Sequence, residues 1–291
     1  MNKALAEIIA GVIPHKMTRN RWRGILRFGP INALKLRREL RKHRDQKPGI
    51  GLAVCAIAKN EGPYFKEWIE WHKRMGVEKF YIYDNGSTDC TADVLRPYVE
   101  AGVVDHIPFP GRKRQLAAYD DCLRRHRYDV RWLAFIDIDE FIVPLKDPDI
   151  PTFLKRFEDA PAVEINWLIY GSNGQTENDG RPVMERFTRH SVPDHPLNRH
   201  VKSIVDPRRV YNMIGCHEAA RINGRAADEK GHPVRVSFRD RQPSQEVIRI
   251  NHYAVKSREE FVEKQNRGRA SGKQRPVSED YFRQYDLNDL E

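Results

Sequence analysis

From residue 51 to residue 143, short runs of apolar residues alternate with longer segments in which apolar residues recur every three or four positions. Runs of the first kind are typical of buried strands, and segments of the second kind are typical of amphipathic helices. The predicted strands are Gly51–Ala58, Lys79–Tyr83, Val103–Phe109 and Trp132–Val143. The predicted helices begin near Pro63 and cover Thr91–Glu100 and Arg112–Arg127. This alternation predicts a parallel, Rossmann-like α/β sheet with flanking helices.

The second half of the chain continues with fewer elements. Ala162–Tyr170 and Val247–Tyr253 are predicted strands. Ser257 followed by Glu260 is the pattern of a capping box, which predicts a helix over residues 258–267.

The run Trp132–Val143 is interrupted by acidic residues, of which Asp137 and Asp139 are two positions apart. If the whole run is one strand, these two side chains project from the same face at its carboxyl end. Open α/β sheets bind their ligands at that end. Because neighbouring carboxylates repel each other, a divalent Mg²⁺ or Mn²⁺ ion carrying a diphosphate is the expected occupant.

An Asp-x-Asp triplet is not specific by itself. Asp147 and Asp149 have the same spacing, but they lie in a Pro-containing turn without a preceding strand. We interpret this second triplet as a loop that caps a helix. A further alternative for the first triplet is a haloacid-dehalogenase-like phosphatase with Asp137 as nucleophile. That fold normally begins with its Asp-x-Asp strand, whereas three predicted strands precede Asp137 here.

The composition is that of a globular protein, with 40% hydrophobic residues and 18 glycines and 18 prolines in 291 residues. The 4 cysteines, Cys55, Cys90, Cys122 and Cys216, are widely spaced and show no metal-binding pattern. We therefore expect reduced cysteines and a cytosolic protein.

The basic charge is concentrated at the N-terminus. Residues 1–47 hold 13 of the 51 basic residues and 3 of the 41 acidic residues, so the whole excess of +10 lies there. The remaining residues, with 38 basic and 38 acidic side chains, have no net charge.

The same segment has apolar residues at helical spacing. They are Leu5, Ile8, Ile9, Val12 and Ile13, followed by a second set from Trp22 to Leu36. No run reaches the roughly 18 apolar residues of a spanning helix, and no signal peptide is predicted. We expect residues 1–47 to attach the protein to the inner face of the plasma membrane as a peripheral protein. A solvated or nucleic-acid-binding arm is the alternative, and a non-catalytic protein that acts only through this arm is another.

Three segments, AKNE at 58–61, YDNGSTD at 83–89 and FIDIDEF at 135–141, occur in this order between the predicted elements. Over about residues 52–270 the chain resembles nucleotide-sugar glycosyltransferases of the GT-A fold. More narrowly, it resembles the family 2-like group that shades into glycosyltransferase family 92. We therefore predict the basic arm at residues 1–47, which its charge and apolar spacing indicate, followed by a GT-A domain at 48–291, which the resemblance implies. Residues 48–145 would form its nucleotide-binding half and residues 146–291 its acceptor half.

The resemblance also implies the donor contacts. The residues expected to bind the nucleotide sugar, for which UDP is favoured, are Asn60, Glu61, Asp84, Arg114, Asp137, Lys202 and Lys256. Arg112, Gln115 and Arg258 are weaker candidates beside them. Turn formation is an equally open role for Asp84, and a favourable position at a helix N-terminus is one for Glu61.

The expected chemistry is transfer of the sugar to a hydroxyl of a glycan or lipid-linked acceptor during synthesis of cell-surface polysaccharides or glycoconjugates, with inversion at the anomeric carbon. Asp137, Asp139 and His252 are the candidate ligands of Mn²⁺ or Mg²⁺. A general base must activate the acceptor hydroxyl. The sequence leaves Glu185, Asp194 and His217, with Glu218 beside them, as unranked candidates.

Overall fold

The computed structural model describes residues 22, 24–267 and 278–291. The strands are β1 (Ile50–Ala58), β2 (Lys79–Asp84), β3 (Val104–Pro108), β4 (Val130–Phe135), β5 (Glu140–Pro144), β6 (Ala162–Ile169), β7 (Val201–Val205), β8 (Val210–Met213), β9 (Ala219–Arg221) and β10 (Ile248–His252). The helices are α1 (Pro30–Lys42), α2 (Gly62–Arg74), α3 (Thr91–Glu100), α4 (Gln115–His126), α5 (Ile150–Leu154), α6 (Val183–Arg186), α7 (Arg258–Arg267) and α8 (Glu279–Tyr285). The predicted alternation of strands and helices is therefore confirmed.

The central sheet has eight strands in the order β3-β2-β1-β4-β7-β6-β10-β5. Its first four strands are parallel, β7 is antiparallel to both neighbours, and β6 and β10 are again parallel. Ala58 at the end of β1 is in register with Asp84 at the end of β2. The carboxyl ends of the parallel strands thus share one edge, as the predicted GT-A arrangement requires.

β1 is buried on both faces because its residues alternate between two hydrophobic clusters. Val54 and Ala56 face one cluster, which includes Trp68 of α2. Cys55 faces the other cluster, which includes Tyr119 of α4. A strand covered by helices on both sides needs this continuous apolar sequence. Truncating the fully buried Trp68 to alanine would cost about 3–5 kcal/mol.

The prediction of one strand over Trp132–Val143 is wrong. β4 ends at Phe135 and β5 begins at Glu140, so Asp137 and Asp139 lie in the intervening turn. Glu140 N–H donates to the carbonyl oxygen of Asp137 at 3.1 Å, and the amide of Asp137 donates to Glu140 Oε2 at 2.9 Å. β5 then pairs antiparallel with β10 at the far edge of the sheet. The apolar sequence is continuous because the turn itself is buried at Ile136 and Ile138.

Two predictions about local structure are confirmed. Asp149 caps α5 by accepting a hydrogen bond from Thr152 N–H at 2.7 Å. At the start of α7, Ser257 N–H donates to Glu260 Oε2 at 3.1 Å, and Glu260 N–H donates to Ser257 Oγ at 3.3 Å.

Part of the basic segment packs against the rest of the chain. α1 buries Ala33 in a small cluster with Tyr211, Ala220 and Ile222 from the region of the β8–β9 hairpin, and Ile25, Phe28 and Leu36 pack against this cluster. These three side chains of the second apolar set therefore cover protein instead of lying free for a membrane. The first apolar set, Leu5 to Ile13, lies outside the described residues. No described helix is long and apolar enough to cross a membrane.

Candidate active site

Asn60 joins the loops that follow β1 and β2. Its backbone has a positive φ of 51°, a conformation that asparagine tolerates better than most residues. Its N–H donates to Ser87 Oγ at 2.9 Å, and its Oδ1 accepts from Thr88 N–H at 2.8 Å. Asn60 therefore organises the carboxyl edge of the sheet at β1 and β2 through its backbone and its side chain.

Asp84 lies at the end of β2, as predicted, and it has a structural role there. Its Oδ1 accepts from Ser87 N–H at 2.7 Å, and its Oδ2 lies 3.0 Å from His106 Nε2. Burial alone would raise the pKa of Asp84, but the hydrogen bonds from Ser87 and His106 hold it below its ordinary value. A carboxylate has further lone pairs, so these contacts leave room for a nucleotide hydroxyl.

Asp137 faces a buried lysine. Lys202 Nζ donates to Asp137 Oδ2 at 2.7 Å and lies 3.2 Å from Glu140 Oε2. Gln115 Nε2 is 3.3 Å from Asp137 Oδ1. Burial raises the pKa of Glu140 to about 8, an effect that Lys202 opposes and Asp137 strengthens. The Lys202 ammonium is therefore the counter-ion of this pair of carboxyl groups.

Asp139 has different partners. Its Oδ2 accepts from the ammonium of Lys264 on α7 and lies 3.6 Å from His252 Nε2 at the end of β10. Tyr253 N–H donates to the Asp139 carbonyl at 2.9 Å, which fixes the turn beside β10. Burial would raise the pKa of Asp139, but Lys264 and His252 hold it well below its ordinary value.

These residues meet the requirements of a divalent ion only in part. In the described ranges, no group of three or more His, Cys, Asp or Glu side chains is arranged to hold a metal. Mg²⁺ is usually held by one or two carboxylates together with substrate phosphates. Asp139 and His252 are buried, and His252 Nδ1 has no hydrogen-bond partner within the described part of the chain. The Asp139 carboxylate and the neighbouring His252 Nε2 would supply two ligands to such an ion, and the diphosphate of the donor would supply others.

A cavity of ≈ 280 Å³ lies between the β1–α2 loop and α7. Three cations line it, Lys256, Lys264 and Arg267, together with Glu61 and Tyr64 among others. Arg267 donates to the Asn60 carbonyl at 2.7 Å and pairs with Glu61. Lys256 Nζ lies 3.1 Å from the centre of the Tyr64 ring, and burial lowers the pKa of Lys256 to about 8. The structure thus brings Asn60, Glu61 and Lys256 to one cavity.

An aromatic cluster continues from His252 along β6. The centroid of the Trp167 ring is 4.2 Å from the ring centroid of His252, 4.8 Å from that of His200 and 5.4 Å from that of His217. His217 Nδ1 is 2.7 Å from the carbonyl oxygen of Val201, so Nδ1 carries the hydrogen. Burial and the nearby Lys202 lower the pKa of His217 to about 3. The ring is therefore neutral near pH 7, with the lone pair on Nε2.

Two other candidates for the base lie on elements other than the 137–139 turn. Glu185 is on α6, and Asp194 is exposed in the loop before His195. Neither forms a hydrogen bond or an ion pair with Asp137 or Asp139 in the part of the chain that the structure describes. Arg114 places its guanidinium 4.0 Å from the centre of the Phe109 ring, and its neighbour Gln115 is the one that reaches Asp137.

The family model of glycosyltransferase family 92 matches residues 51–285. The chain belongs to glycosyltransferase family 92. It is 28% identical over 233 residues to a family 92 protein of Ricinus communis, covering 76% of this chain and 39% of that protein. It is 29% identical over 177 residues to a galactan β-1,4-galactosyltransferase of Arabidopsis thaliana, covering 55% of this chain and 34% of that protein.

This family 92 chain also has partial likenesses to solved structures. One is Staphylococcus aureus TarS with UDP, at a TM-score of 0.37 and 14% identity, covering 54% of this chain and 47% of that one. Another is glucosyl-3-phosphoglycerate synthase of Mycobacterium tuberculosis with Mn²⁺, UDP and glucosyl-3-phosphoglycerate, at a TM-score of 0.28 and 20% identity, covering 41% and 44%. TM-scores this low carry no functional inference. The chain spans 39% and 27% of the lengths of the two family 92 proteins it matches first.

Sequence reasoning missed Lys264 and Arg267, which are the closest basic neighbours of Asp139 and Glu61. A usable signal was present in the helical period. Ser257, Glu260, Lys264 and Arg267 are separated by three or four positions, so they share one face of α7. The capping box fixed the start of that helix, but nothing in the sequence indicated that this face covers the 137–139 turn.

Proposed function

We propose that this family 92 chain transfers a sugar from a nucleoside diphosphate sugar, with UDP favoured, to a glycan hydroxyl, with the help of Mn²⁺ or Mg²⁺. The observation that carries the proposal is the buried Asp139–His252 pair at the carboxyl edge of the sheet. Family membership supplies the reaction class. It also removes the support for a phosphatase that uses Asp137 as nucleophile.

The donor side of the reaction is supported by Asp84 and the cavity cations. The nucleoside would lie along the ends of β1 and β2, where Asp84 and Asn60 are already fixed by hydrogen bonds. Lys256 is a buried cation over an aromatic ring, and a phosphate oxygen would give it a charge-assisted hydrogen bond. Lys202 would keep Asp137 and Glu140 in place beside the departing diphosphate.

Asp139 and His252 would hold the divalent ion, which supplies a positive charge for the diphosphate as the sugar leaves. Asp139 can do so as a carboxylate, because its pKa is held well below the ordinary value. The Tyr253–Asp139 backbone hydrogen bond of 2.9 Å keeps this carboxylate beside His252.

On the acceptor side, His217 is the candidate base that the geometry favours. Its Nε2 is the atom with the lone pair, because Nδ1–H donates to the Val201 carbonyl. It packs against the buried Trp167 and against His200, which is partly exposed. His217 Nε2 would take the proton of the acceptor hydroxyl as that oxygen forms its bond to the anomeric carbon.

The relatives favour a hexose, and galactose first. Three of them are named as galactan β-1,4-galactosyltransferases of Arabidopsis thaliana. A β-linked product made from an α-linked nucleotide sugar requires inversion at the anomeric carbon, which a single displacement with one base provides. Synthesis of a cell-surface polysaccharide or glycoconjugate is the setting that we propose.

Turnover of UDP-sugars with Mn²⁺ tests the proposal. We expect release of UDP that depends on a glycan acceptor, and we expect Asp139→Asn to reduce it by about 100-fold or more, since a charge at the reacting centre is lost. Asp147→Asn is the matched control, because Asp147 has the same spacing but pairs with Arg156 in a surface turn. Full activity of Asp139→Asn, or activity unaffected by a chelator, would contradict the metal assignment.

We also propose that the chain attaches to an anionic membrane surface. α1 turns Ala33 and Leu36 toward the hairpin and leaves Ile31 and Leu34 exposed, at 69% and 60%. Lys35, Arg38 and Arg41 are exposed on the same side at helical spacing. A helix with apolar tips and basic residues on its outer face suits an anionic lipid surface.

A further inference from the structure

The ammonium of Lys264 is bound at the carboxylate oxygen that a metal ion would need. Lys264 Nζ donates to Asp139 Oδ2 and to the Ala254 carbonyl at 2.7 Å. His252 Nε2 lies 3.6 Å from the same Oδ2. A divalent ion on Asp139 and His252 would therefore stand beside a lysine ammonium, and two cations at such a distance repel each other strongly in a buried site.

We propose that the Lys264 ammonium occupies two alternative positions, one on Asp139 and one on the diphosphate of the donor. Without a metal ion it neutralises Asp139. When the ion binds Asp139 and His252, the ammonium leaves that oxygen and turns to the diphosphate of the donor. The position on the diphosphate rests on the proposed function, whereas the position on Asp139 does not.

The two lysines of the turn differ in the way that this proposal requires. Lys202 has 1% of its side chain exposed and is held by both Asp137 and Glu140. Lys264 has 22% of its side chain exposed, and Asp139 is its carboxylate partner among the described ion pairs. A lysine has a flexible four-carbon stem, so its ammonium can move by several ångströms without movement of the backbone. Lys202 is therefore held in place by two carboxyl groups, whereas Lys264 can exchange its single carboxylate partner for another anion.

The cavity offers the Lys264 ammonium its second position, beside a bound diphosphate. Lys264 lines the same cavity as Lys256 and Arg267. Most carboxylates of this lining are already bound. Glu61 pairs with Arg267, Glu260 pairs with Arg186, and Asp89 accepts from the Gly62 amide at 2.9 Å. Lys256 lies over Tyr64 instead of pairing with a described carboxylate, so Lys256 and a released Lys264 would be the cations that meet the diphosphate.

The deciding measurement is Mn²⁺ binding without nucleotide, followed by the electron paramagnetic resonance signal of free Mn²⁺. We expect Lys264→Gln to bind Mn²⁺ at least about tenfold tighter than the unmodified protein, because the competing charge is gone. Lys264→Arg keeps a cation at Asp139 and should bind Mn²⁺ like the unmodified protein. Lys230→Gln is the control for loss of an ion-paired lysine, since Lys230 pairs with Glu246 at the surface.

A second measurement tests the diphosphate with the same variant. At saturating Mn²⁺, Lys264→Gln should bind UDP about tenfold more weakly, because a charge-assisted hydrogen bond is lost. One substitution would then change the two affinities in opposite directions, which a merely structural lysine would not do. Thermal unfolding with and without Mn²⁺ shows that the variant is folded, and Mn²⁺ should raise its melting temperature more than that of the unmodified protein.

Equal or weaker Mn²⁺ binding by Lys264→Gln, including no binding by either protein, would overturn the proposal that Lys264 competes with the ion for Asp139. Tighter Mn²⁺ binding by Lys264→Gln with unchanged UDP affinity would overturn the proposed contact between Lys264 and the diphosphate. If the unmodified protein turns over no nucleotide sugar, the proposed function fails, but the Mn²⁺ titration still decides whether Lys264 occupies the metal position.

Discussion

At the scale of single residues, the acidic side chains at and beside the 137–139 turn are paired with two lysines. Asp137 and Glu140 share Lys202, and Asp139 is bound by Lys264. These pairings turn a cluster of negative charges into a folded, nearly neutral edge of the sheet. Buried charges are tolerated only when they are paired, so loss of one partner is more costly than its own attraction suggests.

Lys202→Met tests that cost. The change removes the ammonium that faces Asp137 and the fully buried Glu140. Since Glu140, with a pKa of about 8, is mostly protonated at neutral pH, the cost is that of lost hydrogen bonds to buried polar groups, and we expect the free energy of unfolding to fall by about 1–3 kcal/mol. Denaturant titration measures this loss. Lys79→Met removes a more exposed pair with Asp105 and should cost less than about 1 kcal/mol. A similarly small loss of unfolding free energy in both variants would show that Lys202 does not stabilise the turn.

The sequence predicted these residues better than it predicted their partners. Asp139 and His252 were predicted to lie together because an acidic pair interrupts an apolar run and because the chain resembles a known family, and their side chains are neighbours in the structure. Their separation along the chain hides that β10 lies antiparallel to β5, which places His252 opposite Glu140 in the sheet. Lys264 was missed because long-range packing of α7, not its local pattern, brings the lysine to Asp139.

At the scale of elements, strands β1 to β4 were predictable because each is an apolar run followed or preceded by a helix with its own period. The turn between β4 and β5 was not, since Ile136 and Ile138 are buried like strand residues. Apolar continuity reports burial, and it does not report where the backbone changes direction. The antiparallel position of β7 between β4 and β6 could not be predicted either, because strand pairing depends on long-range contacts across the whole sheet.

The contact between α2 and β5 gives a prediction about pH. His72 is fully buried on α2; its Nδ1 is 2.8 Å from the Trp68 carbonyl, and Ile142 N–H of β5 donates to its Nε2 at 3.2 Å. Burial lowers the pKa of His72 to about 4 from its ordinary 6.5. The unfolded chain therefore binds the proton more readily between these two values. The stability is fully present above pH 6.5 and is lost as the pH falls toward 4.

We expect this loss to be about 3 kcal/mol, since each pKa unit corresponds to about 1.4 kcal/mol. Urea unfolding at a series of pH values measures it. His72→Gln should be less stable at neutral pH but should lose less stability toward pH 4 than the unmodified protein. His232→Gln, at an exposed histidine, should keep the original pH dependence. Parallel pH curves for His72→Gln and the unmodified protein would contradict the assignment.

At the scale of the whole molecule, the net charge lies at one end of the chain, and residues 48–291 have no net charge. All of the net charge of +10 lies in residues 1–47, and the described part of that segment is a helix packed on the β8–β9 hairpin. The proposed membrane attachment would therefore have a fixed face, which a free tail would not have. A fixed face would hold the carboxyl edge of the sheet at a constant orientation to the membrane and its acceptor.

Reversal of charge on the outer face of α1 tests this orientation. Each basic residue near an anionic surface contributes about 1 kcal/mol, so Lys35→Glu combined with Arg38→Glu and Arg41→Glu should weaken binding to vesicles by well over tenfold. Co-sedimentation with vesicles of phosphatidylserine and phosphatidylcholine, compared with phosphatidylcholine alone, measures the change. The control reverses the exposed Lys66, Lys146 and Lys155, which lie outside the basic segment. Binding should also weaken as salt shortens the Debye length, with a remainder carried by Ile31 and Leu34. Equal loss in both triple variants, or equal binding to neutral vesicles, would rule out a membrane-facing α1, and binding to RNA that disappears only in the α1 variant would assign that face to nucleic acid instead.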